Sequence, residues 1–315
     1  MSSVCRAVID VGTNSVKLLV AEVAGHSVIP LFEESEQTRL GRGFYETHRL
    51  QADAIQDTAR AVGQFAEVAR ASQASSLRVI ATSAARDALN QNELLDAIRQ
   101  VAGLEVEIIS GEQEADLVYQ GVRSDPKLAG ERLMILDVGG GSAEFIIGEN
   151  KHPQFAQSFS LGSVRLLELL PPSDPPTAEE LERCRSYLRD FFARHILPAV
   201  NPVLAEGRGQ TRLIGTGGAA TILARMEYQL SKYQRHEIEG APITLEAVQG
   251  WMAKLWSMPL RERRGITGLP KKRADVILPG LAIYEAVLQE FGFSELRAST
   301  RGLRFAAVLQ PSPGR

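Results

Sequence analysis

The sequence predicts an α/β protein made of two similar halves, and three observations carry that prediction. One segment reads Ile9-Asp10-Val11-Gly12-Thr13-Asn14-Ser15-Val16-Lys17-Leu18-Leu19-Val20, and a second reads Leu136-Asp137-Val138-Gly139-Gly140-Gly141-Ser142-Ala143-Glu144-Phe145-Ile146-Ile147. Asp, Val, Gly and Ser coincide between them without a gap. Each is an apolar strand ending in Asp, a tight glycine-containing turn and a second apolar strand, the pattern of a β-hairpin. After each hairpin, short apolar runs alternate with stretches of helical spacing, as expected for helices layered on a sheet.

In chain order, the spacing predicts a helix over Ala52–Ala71, a strand over 77–81, a helix near 93–101, a strand over 105–109 and a helix over 111–122. The second half repeats the scheme. A strand near Phe155–Phe159 and a helix near 164–170 precede the loop Leu170-Pro171-Pro172-Ser173-Asp174-Pro175-Pro176. Thr177 then stands as N-cap with Glu180 three residues on, the spacing of a capping box. The core strand of this half, 212–215, follows the proline run, so that run reads as a loop inside one domain. Helices starting at Leu245, Arg273 and Arg301 complete the chain, and 310–315 is expected to fray.

Composition bounds the function. The 315 residues are 44% hydrophobic and 23% charged, ample for two cores. With 35 basic and 38 acidic residues the net charge is −3, which leaves no global positive field for nucleic acid or an anionic membrane. A polyanion must therefore be held by a local basic site. Cys5 and Cys184 are far apart and lack a ligand-spaced histidine, excluding a disulfide framework and a cysteine zinc site. Asp10 and Asn14 interrupt the apolar N-terminus, and no later run approaches the roughly 20 apolar residues of a membrane helix. A soluble cytoplasmic protein is the expectation, with a homodimer left open.

The Asp-x-Gly turns are the first chemical candidates. Gly12, Thr13, Asn14 and Ser15, and Gly139, Gly140, Gly141 and Ser142, present closely spaced backbone N–H groups and hydroxyls that suit a phosphate oxygen. Either turn alone reads equally well as a structural hairpin; the same turn at the same place in two repeats favours function. These turns resemble the two phosphate loops of the actin, sugar kinase and heat-shock chaperone ATPase superfamily. More narrowly, the chain resembles the exopolyphosphatase / guanosine pentaphosphate phosphohydrolase family. Ala81-Thr82-Ser83-Ala84-Ala85-Arg86, Ile109-Ser110-Gly111-Glu112-Gln113-Glu114-Ala115, Gly215-Thr216-Gly217-Gly218 and Arg273-Ala274-Asp275-Val276-Ile277-Leu278-Pro279-Gly280 support the narrower match, in the family's order.

The resemblance implies two actin-like (ribonuclease H-like) domains with an interdomain cleft: 1–123 and 124–299, with a helix at about 300–315 packing back on the first. The expected form is the short, two-domain one. The implied activity is hydrolysis of the terminal phosphate of inorganic polyphosphate, or of the 5′ γ-phosphate of guanosine pentaphosphate. Glu114 falls on the family's water-activating carboxylate; read alone, it is a first-turn glutamate favoured by the helix dipole. Arg86 falls on a phosphate ligand, and Lys17 on a basic position facing the phosphate channel. Gly217 and Gly218 fall on the distal phosphate loop. Arg273 ends a basic stretch (Arg261, Arg263, Arg264, Lys271, Lys272) that is either a solvated face or a wall for the polyanion.

Asp137 and Glu144 are hard oxygen donors beside a phosphate loop, the way Mg²⁺ is held by one or two carboxylates, waters and substrate; Mn²⁺ is the substitute. Asp10 either adds to them through water or caps its own turn. Three departures from the family stand out. Gln113 replaces a glutamate, with an expected electrostatic consequence, the loss of a second charge beside Glu114. Ala143 and Ala219 each remove a hydroxyl. Two other functions stay open: a phosphotransferase of the same superfamily, and a non-catalytic alarmone sensor, against which the retained Glu114 weighs.

Overall fold

A computed structural model describes residues 3–207 and 209–310. Strands β1 (Val4–Val11), β2 (Val16–Ala24), β3 (Ser27–Glu36), β4 (Ser76–Ala81) and β5 (Glu107–Ile108) form one sheet in the order β3-β2-β1-β4-β5. Strands β6 (Leu133–Val138), β7 (Ala143–Gly148), β8 (Phe155–Phe159), β9 (Arg212–Thr216), β10 (Pro242–Thr244) and β11 (Glu295–Ala298) form the other, in the order β10-β11-β9-β6-β7-β8. Matching β1, β2, β3, β4 and β5 to β6, β7, β8, β9 and β11 superimposes the two orders, so the repeated hairpins open two copies of one topology. Each copy has antiparallel pairing on the hairpin side and parallel pairing on the other.

The chain clusters into two units, one running to Lys127 and resuming at Arg301, the other covering Leu128–Thr300. In the first unit, β1 is central and buried on both faces, and its Ile9 and Val11, with Leu18 and Val20 of β2, are fully buried in one core with helix α1 (Ala52–Ala71), whose apolar stripe carries Ala59, Val62 and Ala66. Helices α2 (Ser83–Asp87), α3 (Gln91–Ala102) and α4 (Gly111–Arg123) follow β4 and β5. In the second unit, α5 (Ser163–Leu169), α6 (Ala178–Phe191), α7 (Gly217–Glu227), α8 (Leu245–Trp256) and α9 (Ile277–Phe291) cover a core that includes Phe145, Phe192, Tyr284 and Leu296. Thr177 and Glu180 form the expected capping box at the start of α6. Helix α10 (Leu303–Leu309) belongs to the first unit and packs on α4.

Several elements differ from expectation. The strand read over 105–109 is only two residues long, because as an edge strand it pairs with β4 alone, through Ile80↔Glu107 and Ala81↔Ile108. The helix expected from Arg273 begins at Ile277; Lys271–Arg273 first forms a 3₁₀ turn in which Arg273 N–H donates to Pro270 O. The helix expected from Arg301 begins two residues later, after Gly302. Strands β3 and β10 have no clear sequence pattern, the first being polar over much of its length and the second three residues long. Of the segment expected to fray, 311–315 lies outside the described residues.

The packing of α10 on α4 depends on two facing glycines. A Cβ on Gly121 would lie 2.1 Å from Gly302 O, and beside this contact Arg301 Nη1 donates to Ser124 O at 3.1 Å. Gly121→Ala should gain up to about 1 kcal/mol of helix propensity and still lose about 1–3 kcal/mol net from overpacking. Thermal unfolding checks this: a variant as stable as the parent would mean that the α4–α10 contact yields freely.

Candidate active site

Parallel registration brings the functional segments of each unit to one sheet edge. In the first unit, Val11 pairs with Ala81 and Ala81 with Ile108, so β1, β4 and β5 end side by side. The backbone continues the row, with Thr82 N–H donating to Val11 O at 3.3 Å and Ile109 N–H to Ala81 O at 3.1 Å. The turn 12–15, the start of α2 and the start of α4 therefore share the carboxyl edge of the sheet, where open α/β folds bind ligands. In the second unit β6, β9 and β11 end together in the same way, at Asp137↔Thr216 and Ala298↔Gly215.

Both turns have their carbonyls held from behind. In the first, Gly12 N–H donates to Ser15 O at 3.0 Å, while Gly41 N–H and Arg39 N–H donate to Thr13 O and Asn14 O at 2.7 and 3.1 Å. In the second, Gly139 N–H donates to Ser142 O at 3.0 Å. Ser163 N–H then donates to Gly139 O, both Val164 and Arg165 N–H donate to Gly140 O, and Arg165 Nε donates to Gly141 O at 2.8 Å. In a trans peptide the N–H points opposite to the preceding C=O. Tying down these carbonyls thus turns the N–H groups of Asn14 and Ser15, and of Gly140, Gly141 and Ser142, to the opposite side, the arrangement of an anion-binding nest. Glycine is needed in the backing as well: a Cβ on Gly162 would lie 2.4 Å from Gly140 O.

Glu114 and Arg86 meet. Glu114 lies in the first turn of α4, 9% exposed, and its Oε2 accepts from Arg86 Nη1 at 3.0 Å. Arg86 Nη1 also donates to Ile109 O at 3.2 Å, and its Nε lies 3.4 Å from Asp87. The guanidinium thereby links α2 to the end of β5 and to the first turn of α4. An ion pair this enclosed is screened less than a surface pair, so each partner fixes the other.

Gln113 caps its own helix. Its Oε1 accepts from Ser110 N–H at 2.8 Å while Ser110 Oγ accepts from Gln113 N–H at 3.1 Å, a complete capping box at the N-terminus of α4. The side chain is turned back to the cap, a role the sequence reading did not give it; a glutamate there would make the same pair of bonds.

The hairpin register sets the charges. Directly paired residues share a face, so Asp10↔Lys17 becomes a 3.9 Å ion pair in the first unit, whereas Asp137↔Glu144 places two carboxylates side by side in the second. Glu144 is buried and its Oε1 accepts from Ser158 Oγ at 2.7 Å. No group of three His, Cys, Asp or Glu forms a metal cage among the described residues. Of the three expected metal ligands, the structure pairs two, Asp137 and Glu144, and gives Asp10 a cation as its neighbour.

Gly217 takes φ +82°, and an ideal Cβ there would lie 2.2 Å from Asp137 Oδ1. The carboxylate thus sits against the bare glycine at the start of α7. Arg273 reaches the same turn, its Nη1 3.8 Å from the position of a Cβ on Gly218. The rest of the basic stretch divides: Arg261, Arg264, Lys271 and Lys272 are exposed, while Arg263 is buried, and burial pushes its pKa below the usual arginine range, with Asp174 and Asp275 opposing.

Four contributors were not among the expected site residues: Ser83, Tyr284, Ser163 and Arg165. Asn14 Nδ2, on an expected residue, and Ser83 Oγ, on an unexpected one, are buried without a hydrogen-bond partner at the first sheet edge. Such groups require a reason, and a phosphoryl oxygen would supply one. The Thr82-Ser83 pair at a strand end was the available signal. Tyr284, fully buried on α9, donates its hydroxyl to Thr216 O at 2.9 Å and Leu136 O at 3.2 Å, joining the ends of β9 and β6. Burial, and then the Asp137 charge, push its pKa up, which keeps it a donor. The backing residues Ser163 and Arg165 complete the set; only their tertiary contacts reveal them.

A profile of the Ppx/GppA phosphatase family matches residues 19–310. The chain is 32% identical over 296 residues to Exopolyphosphatase 2 of Mycobacterium tuberculosis, with 90% of each chain covered. Its fold is similar to that of the Aquifex aeolicus PPX-GPPA enzyme, with TM-score 0.78 and 29% identity over 98% of this chain and 99% of that one. It is also similar to an exopolyphosphatase from Cytophaga hutchinsonii, with TM-score 0.85 and 25% identity over 96% of each.

Two outcomes are expected of the turns and caps. Gln113→Ala should lower stability by about 0.5–1 kcal/mol through loss of the reciprocal cap, while Gln113→Glu melts at or above the parent, as the added charge favours a helix N-terminus. Equal melting of all three proteins would remove the box from the account. Gly217→Ala should displace Asp137 and abolish most activity; a fully active variant would show that this carboxylate is free to move.

Proposed function

We propose, from the fact that this chain belongs to the Ppx/GppA phosphatase family, that it removes the terminal phosphate of inorganic polyphosphate by attack of a water held by Glu114. The family makes the chain a phosphoanhydride hydrolase; the substrate and the roles of the residues are this proposal. The observation that carries it is the enclosed Arg86–Glu114 pair, at the same sheet edge as the turn 12–15. A guanidinium there can hold a phosphoryl oxygen, and the carboxylate beside it can orient the water and accept its proton. In-line attack then breaks the bond to the penultimate phosphate, and the released group leaves as orthophosphate.

The binding residues are part of the same proposal, supported by the family resemblance and by the carbonyl-backed turns. Gly12, Thr13, Asn14 and Ser15, with Lys17, serve one phosphate loop; Gly139, Gly140, Gly141 and Ser142 serve the other. Gly217, Gly218 and Arg273 serve a further phosphate. Exclusion of a sensor role rests on Glu114: mere binding needs no buried carboxylate at an anion site, where it opposes the ligand's charge.

Asp137 and Glu144 fit Mg²⁺ or Mn²⁺, being adjacent hard donors that leave the remaining positions to water and phosphate. Asp10 belongs to the other unit, where it stands beside Lys17, and is not part of this pair. A cation bound there would neutralise charge on the phosphates. Glu144 is held by Ser158 and Asp137 is seated on Gly217, so the pair is built into the fold before any ion arrives.

The test is phosphate release from short polyphosphate, long polyphosphate and guanosine pentaphosphate in parallel, with magnesium present or chelated. Release from polyphosphate, lost on chelation, is expected. Cleavage of guanosine pentaphosphate alone, or full activity after chelation, would overturn the corresponding part. Glu114→Gln should lower kcat by about 10²–10⁴ with unchanged melting, and retention of more than half the activity would end its assignment as base. Asp137→Ala should raise the magnesium requirement more than it alters stability.

A further inference from the structure

The three peptides of the second turn are not clamped alike. Gly139 O is held by the Ser163 amide and hydroxyl, and Gly140 O by the amides of Val164 and Arg165, all fixed once α5 forms. Gly141 O accepts from a side chain, Arg165 Nε, at 2.8 Å. The peptide following Gly141 carries the Ser142 N–H, which faces away from that carbonyl. Three successive glycines have little intrinsic preference for one peptide orientation, so an external donor must supply it. The first turn differs here: its carbonyls at Thr13 and Asn14 are held by backbone amides alone among the contacts given above.

We propose that Arg165 is a positioning residue: its Nε–H fixes the Gly141–Ser142 peptide so that the Ser142 N–H is directed to phosphate. This rests on the reading of residues 139–142 as a phosphate loop. The planar guanidinium suits the task because Nε is rigidly placed on a side chain whose own backbone N–H already bonds the adjacent Gly140 O at 3.0 Å. Two bonds from one residue thus orient two consecutive peptides. The guanidinium acts from behind the loop, on the carbonyl side, so its effect on phosphate is transmitted through the peptide.

Arg165→Met removes the donor and keeps much of the packing; Arg165→Lys restores a single donor of similar reach. Pyrophosphate is the probe, as a competitive inhibitor and as a ligand followed by amide NMR of the full chain. In the parent, pyrophosphate should shift the amide resonances of Gly140, Gly141 and Ser142. Arg165→Met should raise both KM for polyphosphate and the inhibition constant of pyrophosphate by about ten- to a hundredfold, the worth of one hydrogen bond to a charged group. The Ser142 shift at saturation should shrink while that of Gly140 persists, and Arg165→Lys should recover part of the affinity. If the parent's three amides do not respond, the phosphate-loop reading fails. If they respond but Arg165→Met binds pyrophosphate as the parent does, or loses melting temperature with KM intact, the positioning role of Arg165 is wrong.

Discussion

Parallel pairing of β1 with β4, and of β6 with β9, is the constraint on which the site depends. A parallel pair carries the carboxyl ends of both strands to one edge, and every segment with chemical content leaves the sheet there. The antiparallel partner on the other side of each central strand then decides which side chains face one another. One register thus places Asp10 by Lys17 and the other places Asp137 by Glu144, equivalent frames of which one holds an ion pair and the other two carboxylates. Helices and cores serve to hold these edges in place: Tyr284 bonds the last residue of β9 and, two residues before its end, β6, and Arg86 ties α2 to the end of β5.

The anion-facing amides are a by-product of satisfying carbonyls. Buried peptide oxygens need donors, and the chain supplies them from segments 39–41 and 162–165. Once those donors are placed, peptide planarity leaves the N–H groups only one direction to point. Close approach is the requirement, so glycine recurs in the backing segments, at Gly162 against the Gly140 backbone and at Gly41 against Thr13. The loops therefore need no ligand to acquire their shape.

Much of this was legible in the sequence. The duplicated hairpins were, because apolar runs around Asp-x-Gly turns are local and because the same pattern occurs twice. Glu114 and Arg86 were legible only through family resemblance; that they form one ion pair was not, since 28 residues separate them and the contact is made by strand registration. The Ser110-x-x-Gln113 spacing of a capping box stood in plain view, yet matching Gln113 to a family glutamate framed it as a missing charge. The short β5 and β10 carry too few residues for any periodicity. The backing segments leave no local mark beyond isolated glycines, because their hydrogen bonds join parts of the chain that only the fold brings together.

Helix α10 closes on α4 through Gly121 and Gly302, with Arg301 reaching Ser124, a residue 177 positions earlier. During synthesis, then, the first unit emerges first from the ribosome but is finished last. Its sheet and α1 can assemble early, while the face of α4 that α10 covers, on the helix that carries Glu114, waits until the whole second unit has been made. Since domains generally fold from the N-terminus as they appear, this order leaves the nascent first unit with an unprotected apolar surface for the time needed to translate the second. It also makes the seating of the Glu114 helix a late event, one whose completion reports that both halves of the chain are present.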